Sequence, residues 1–235
     1  MGFLAWWSER WRGRPPDSKR LLADIEFSVL DTELTGLDDR KDDIVSIGVV
    51  RMRGGRIEIG NTFQALVRPT ATLDGRTVIV HRITPSQLED APLIEEVLQP
   101  LMTYLSDTVL VGHCISIDQA FLNRDAKRIL GAPIRNRAVD TLSLYGWLRH
   151  RHADHPAFLI DLTGLSLFRL AEAFDIPIEK AHSAIGDAYV TAQFFQRLLP
   201  FLVHAGVRDL AGLRRVGDPL RQTANLVAPD GHAHF

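Results

Sequence analysis

The chain has 235 residues, 46% of them hydrophobic, with a formal charge of −2 and a pI near 6.5. That supplies the core of one α/β domain with short extensions and is expected to leave no room for a second large domain such as a polymerase. The near-neutral balance does not advertise nucleic-acid binding, and a single cysteine, Cys114, excludes an internal disulfide and any cysteine-based zinc site. No apolar run reaches membrane-spanning length, and the start lacks the charged tip and apolar core of a signal peptide. A reducing cytoplasm is the expected setting.

Met1 to Arg20 mixes Trp6, Trp7 and Trp11 with Arg10, Arg12 and Arg14 ahead of Pro15-Pro16. That composition suits docking on the domain, on a partner or on a membrane surface. Glu26 to Leu30 then reads as a short buried strand with Phe27, Val29 and Leu30, and turn-prone Thr35-Gly36 follows. Side chains alternate along a strand, so Asp31 and Glu33 project to the same side. Two carboxylates in one small volume raise each other's pKa unless a cation sits between them, and oxygen-only ligands suit Mg2+ or Mn2+. Taken alone, the pair is equally an ordinary solvated acidic turn.

Ile44 to Arg53 and Arg56 to Val67 are strand-like on either side of Gly54-Gly55, a hairpin turn signal, so three antiparallel strands are predicted to lead the chain. Ile94 to Leu105 reads as a helix feeding an apolar, β-branched strand at Thr108 to Val111. Gly112-His113 breaks that strand, and Ile117 to Ile129 shows helical spacing through Phe121, Leu122, Ala126 and Ile129. Asp118 therefore falls in the first helical turn just past a strand, a common address for a functional carboxylate because ligands bind beyond strand ends. An acidic residue near a helix N-terminus is also favourable without any function. Arg124, Lys127, Arg128, Arg135 and Arg137 form a basic stretch suited either to phosphates or to a solvated helix face.

Further helices are predicted near Asp140 to His150, Leu165 to Phe174 and Ala184 to Leu199. His150, His152 and His155 sit close together but beside Pro156 and without paired ligands, which reads as a polar loop. Along the last helix Ala184, Ala188, Ala192 and Phe195 form one narrow packing face, and Asp187 lies in its first turn. His182 precedes it by five residues. An imidazole with an ordinary pKa of about 6.5 accepts a proton at neutral pH and hands it on. Asp31, Glu33, Asp118 and Asp187 with His182 thus make four carboxylates and one imidazole, a set able to cleave phosphodiesters with two metal ions. Phosphate-loop and nucleophile-elbow motifs are absent, which excludes nucleotide-triphosphate motors and serine hydrolases.

The order and wording of these segments resemble the DEDDh family of 3′→5′ exonucleases, which includes the proofreading epsilon subunit of bacterial DNA polymerase III, ribonuclease T and oligoribonuclease. The family's DTETTGL is similar to DTELTGL at Asp31 to Leu37, its VGHNxxFD to Val111 through Asp118, and its HxAxxDA to His182, Ala184, Asp187 and Ala188. Val80 to Thr84 resembles the family's VHGIT, and Val139 to Leu142 its V/I-D-T-L, so the likeness runs from about Glu26 to Leu199. A sister branch carries tyrosine where this chain has Ser183, which places it in the histidine branch.

The resemblance implies an α/β ribonuclease-H-like fold, a mixed five-stranded sheet flanked by helices, over residues 25–203. The Trp/Arg-rich extension would span 1–24 and a tail 204–235. It further implies that Asp31, Glu33 and Asp187 hold one Mg2+ or Mn2+ while Asp31 and Asp118 contribute to a second. His182 would act as general base, and nucleoside 5′-monophosphates would leave a 3′ end, most plainly of single-stranded DNA. Asp31, Glu33, Leu34 and His81 are the implied substrate contacts, with Arg76 or Arg82 assisting and Phe121 either in the pocket or in the core. Leu34, Cys114, Ile117 and Arg82 depart from the family pattern beside the ligands rather than on them. A separate DNA polymerase subunit is the implied partner for proofreading. RNA trimming, or an idle module that holds nucleic acid or a polymerase, are the alternatives.

Overall fold

The structure is a computed structural model, and it describes residues 20–71, 83–160, 166–179 and 181–219. Five strands form one sheet in the order β3-β2-β1-β4-β5: β1 Glu26–Leu34, β2 Ile44–Arg53, β3 Arg56–Leu66, β4 Val109–Gly112 and β5 Ala138–Asp140. The first three pair antiparallel, joined between β2 and β3 by the tight Gly54-Gly55 turn, while β4 and β5 run parallel to β1. This is the mixed sheet that the sequence predicts, with β1 at its centre.

Among the described residues seven α-helices accompany the sheet: α1 Pro85–Glu89, α2 Ile94–Leu105, α3 Ser116–Leu130, α4 Thr141–Arg149, α5 Leu167–Ala173, α6 Ala184–His204 and α7 Leu210–Val216. Strand alternation divides the core between two faces. Phe27 and Val29 of β1 and Val50 and Met52 of β2 pack with α4, α5, α6 and α7, whereas Leu30, Ile47 and Val49 pack with α2 and α3. Along α6 the face of Ala184, Ala188, Ala192 and Phe195 is fully buried, and Phe195 meets Phe27 edge-on at 5.0 Å. The small alanines let the first turns of α6 lie close to the sheet, and the phenylalanine fills the space beyond.

Residues 204–219 are part of this body, where the sequence suggested the start of a tail. Val207, Leu210, Leu213 and Val216 are buried in the same core as α6. Leu21 bridges Asp209, and the Leu22 and Leu210 N–H groups donate to the carbonyls of Arg208 and Arg20, each at 3.0 Å. A seven-residue helix carries too few turns for its periodicity to stand out. The basic stretch is also engaged. Arg128 pairs with Glu95 and Asp125, and Arg124 with Asp43 and Asp125. Among the described residues no helix is long and apolar enough to cross a membrane.

Candidate active site

Asp31 and Glu33 stand at alternate positions near the end of β1, on the α6 side of the sheet. With Asp187 in the first turn of α6 they bring carboxylate oxygens within 4.8 Å of one another. Gly48 makes this approach possible. It pairs with Asp31 across the β1–β2 ladder, and a Cβ there would lie 2.3 Å from backbone atoms of Ala184 and Ile185. The start of α6 thus rests directly on strand backbone. Ser183 caps the helix, its hydroxyl accepting the Gly186 N–H at 3.3 Å. His182 sits just before, in the left-handed region at φ 63°. A side chain there is strained and is held by its surroundings. Its N–H donates to Asp187 Oδ1 at 3.2 Å, and its ring meets Phe168 edge-on at 5.0 Å.

Asp118 arrives from the other side of β1. It lies in the first turn of α3, is buried, and accepts the Thr32 hydroxyl on Oδ1 at 2.6 Å. The loop that launches α3 is pinned by Asp140. One carboxylate oxygen accepts the Ile115 N–H at 2.9 Å while the other caps α4 through the Ser143 N–H at 2.9 Å. Cys114 occupies a left-handed position at φ 55° in that loop. His113 beside it bonds Thr141 Oγ1 through Nδ1 at 3.0 Å, and burial pulls its imidazole down to about 4, so it stays neutral.

The loop after β1 is fixed as firmly. Arg124 of α3 donates to the Asp39 and Asp42 carbonyls as well as to its two acidic partners, and Asp43 accepts from the Thr70 N–H and hydroxyl, each at 2.7 Å. Thr35 donates to Asp42 at 3.1 Å. The segment following Leu34 is therefore tied both to the helix that carries Asp118 and to residues 70–71.

The electrostatics mark the four carboxylates as one centre. Burial, then Asp118, Asp187 and Glu33, holds Asp31 well above the usual carboxylate range. Burial, then Asp187 and Asp118, pushes Glu33 up to about 8. Burial raises Asp118 and Asp187 each to about 7, with the Thr32 and His182 hydrogen bonds opposing it. Like charges crowded in a low-dielectric site favour either shared protons or a cation among them. Oxygen-only donors select a hard divalent ion, so the residues fit such a group. Among the described residues Asp31, Glu33 and Asp187 are the one group of three side chains close enough to hold a metal ion together, and the histidines of residues 150–155 do not form another. His152 and His155 instead pack against Phe158 and Phe201.

The structure thus brings together Asp31, Glu33, Asp118 and Asp187, with His182 joined to Asp187 through its backbone. Leu34 is half-buried against the α2–α3 core, and Phe121 belongs to that core. His81, Arg76 and Arg82 lie outside the described residues, as does the Trp/Arg-rich segment up to residue 19. Sequence reasoning gave Thr32, Gly48 and Asp140 no role of their own and read Arg124 as a cation for phosphates or for a solvated face, where it instead ties the loop after β1 to α3. A glycine inside the apolar run Ser46 to Val50 is a signal of close backbone approach, and Asp140 ahead of Thr141 is a helix N-cap signal.

A mixed five-stranded sheet with a central strand, flanked by helices, and a carboxylate centre at that strand's end define a ribonuclease-H-like α/β fold. The model of the RNase_T family, described as Exonuclease, matches residues 28–195. The chain is 32% identical over 196 residues to the DNA polymerase III subunit epsilon of Aquifex aeolicus, covering 83% of this chain and 91% of that one. It is 31% identical over 201 residues to the PolC-type DNA polymerase III of Thermotoga maritima, covering 86% of this chain but 14% of that polymerase. Several PolC-type relatives are thus matched over only a small part of their length. Among solved structures, Escherichia coli Exonuclease I in complex with a dT13 oligonucleotide gives a TM-score of 0.66 at 17% identity, over 78% of this chain and 43% of that one. Exonuclease X in complex with 5′ overhanging duplex DNA gives 0.57 at 24%, over 82% and 98%. At these identities the likeness is one of fold. The chain belongs to the RNase_T exonuclease family.

Proposed function

We propose that the chain is a metal-dependent 3′→5′ exonuclease that hydrolyses the 3′-terminal phosphodiester of single-stranded DNA. The observation that carries this reading is the convergence of Asp31, Glu33 and Asp187 within 4.8 Å, with Asp118 electrostatically coupled to them, inside an exonuclease family match. Asp31, Glu33 and Asp187 would hold one divalent ion, Mg2+ or Mn2+, and Asp31 and Asp118 a second. Bound there, such ions would supply the positive charge that lowers the pKa of an attacking water and offsets charge developing on the phosphodiester oxygens. His182 accepts the proton of that water as its oxygen attacks phosphorus. The P–O3′ bond breaks, leaving a 3′-hydroxyl on the shortened strand and a free nucleoside 5′-monophosphate. Leu34 and His81 are assigned to the terminal nucleotide.

DNA is favoured over RNA because the relatives matched over most of this chain are named for DNA polymerase III, and two fold neighbours are titled as complexes with DNA. By the same likeness the partner is a DNA polymerase and the role is proofreading. The lone cysteine supports a reducing, cytoplasmic setting. We further assign the Trp/Arg-rich residues up to 19 to an accessory extension; residues 20–24, which the sequence put with it, belong to the domain, with Leu22 in its core.

The test is a time course on 3′-end and 5′-end labelled single-stranded DNA and RNA of equal length, with Mn2+, Mg2+ or EDTA. Asp31→Ala is the inactive control. Stepwise 3′→5′ shortening of DNA that needs metal and Asp31 is expected. Faster loss of RNA would reverse the substrate assignment. No shortening of either polymer despite retained binding would mark an idle binding module.

A further inference from the structure

Thr32 lies between the two acids of the first cluster, and strand alternation turns its side chain away from them, toward α3. The parallel ladder between β1 and β4 ends at Val29 and Val111; β4 pairs with β5 for one residue more, Gly112 with Asp140, before the loop at residues 113–115. Beyond that point the β4-side edge of β1 has no strand beside it. Asp118 takes that place. Its Oδ1 accepts the Thr32 hydroxyl at 2.6 Å. Asp118 is thereby fastened by one residue to the strand that carries Asp31 and Glu33, although it comes from a helix on the opposite face.

We infer that Thr32 is a positioning residue, holding the Asp118 carboxylate for a second divalent ion; its role toward a metal rests on the reading in the preceding section. A charge-assisted O–H···O⁻ bond is short and directional. It occupies one of the lone-pair sites of the carboxylate and fixes the plane of the rest. Without it, Asp118 keeps its burial and its negative neighbours but loses the donor that orients it. Partners that orient metal ligands are worth roughly 10–100-fold in metal affinity. Asp31, Glu33 and Asp187 form their own three-carboxylate group on the other face, so the loss falls on one ion and not on both.

The experiment compares the full-length chain with Thr32→Val and Thr32→Ser. Valine keeps the β-branched shape that suits the strand, and serine keeps the hydroxyl. Mn2+ is titrated into each protein with saturating thymidine 5′-monophosphate, and free Mn2+ is read by electron paramagnetic resonance. Two sites are expected in the parent chain. Thr32→Val should hold one of them unchanged and weaken the other by roughly 10–100-fold, and Thr32→Ser should stay within a few-fold of the parent. In the nuclease assay the Mn2+ concentration for half-maximal rate should rise for Thr32→Val, while kcat recovers at high Mn2+. Parent-like Mn2+ binding by Thr32→Val, a Thr32→Ser chain as weak as Thr32→Val, or a single site in the parent would each overturn the inference. The exonuclease reading is judged separately. A parent chain that binds two ions in a Thr32-dependent way but cuts no polymer would refute that reading and leave the positioning role standing.

Discussion

Replacing Gly48 with alanine adds one methyl group at the place where β2 supports the first turn of α6. On the present backbone that carbon would sit 2.3 Å from the Ala184 carbonyl carbon and the Ile185 nitrogen, and 2.5 Å from the Ala184 oxygen. Carbon and backbone atoms settle at about 3.5–4.0 Å, so the helix start must retreat by about 1 Å or more. All three contacts are with backbone, and no flexible side chain can swing aside. Asp187 moves with that turn, whereas Asp31, paired directly with Gly48, stays with the sheet. The 4.8 Å grouping then opens on one side. Overpacking of this kind costs about 1–3 kcal/mol in stability, and a misplacement of about 1 Å costs about 10²-fold in rate. The assay is kcat on labelled single-stranded DNA beside a thermal melt. Gly146→Ala serves as control, because nothing lies within 4 Å of a Cβ at that helical glycine. The control should keep full activity and gain about 0.5–1 kcal/mol from the better helix former. A Gly48→Ala chain with parental kcat and melting temperature would refute the argument that this close approach builds the site.

His182→Ala should retain metal binding and fall by about 10²–10⁴-fold in kcat, and parental turnover would remove the general-base role. Metal-free protein should lose thermal stability as pH rises from about 5 to about 8. Asp31, Glu33, Asp118 and Asp187 all carry folded-state pKa values above their ordinary ones, so the folded state holds protons that the unfolded chain has released. Mg2+ should reverse this trend, and a metal-free melting temperature that climbs over that range would contradict the crowding. The Cys114 thiol, pushed up to about 12 by burial and then by Asp140 and Asp118, should react with an alkylating reagent at pH 8 far more slowly than the same thiol in denaturant. Cys114→Asn should be neutral or stabilising by a few tenths of a kcal/mol, because asparagine tolerates a φ of 55° better than cysteine.

The carboxylates of the candidate site were legible because each stands at the end of an element with strong local signals. Asp31 and Glu33 follow an apolar strand, Asp118 follows a strand and a glycine, and Asp187 opens a helix with a clear small-residue face. What the sequence concealed depends on register. Thr32 and Gly48 matter because of what lies across the ladder or beyond its end, and no local pattern shows that the parallel pairing stops at Val29. Arg124 read as a free cation because its partners, Asp43 and the carbonyls of Asp39 and Asp42, are remote in sequence and meet it only when α3 packs beside the loop. The short helix Leu210–Val216 was lost to its brevity, although its three buried side chains, Leu210, Leu213 and Val216, complete the α6 face of the core.

The late position of Asp187 also has a meaning in time. The first two acids are made early, yet the carboxylate group closes only when α6 docks on Gly48, and α6 is among the last elements to emerge during synthesis. A chain cut short before His182 and α6 therefore carries three of the four carboxylates and lacks Asp187 and His182. The order of the residues along the polypeptide keeps the cutting activity latent until nearly the whole domain has been made and packed.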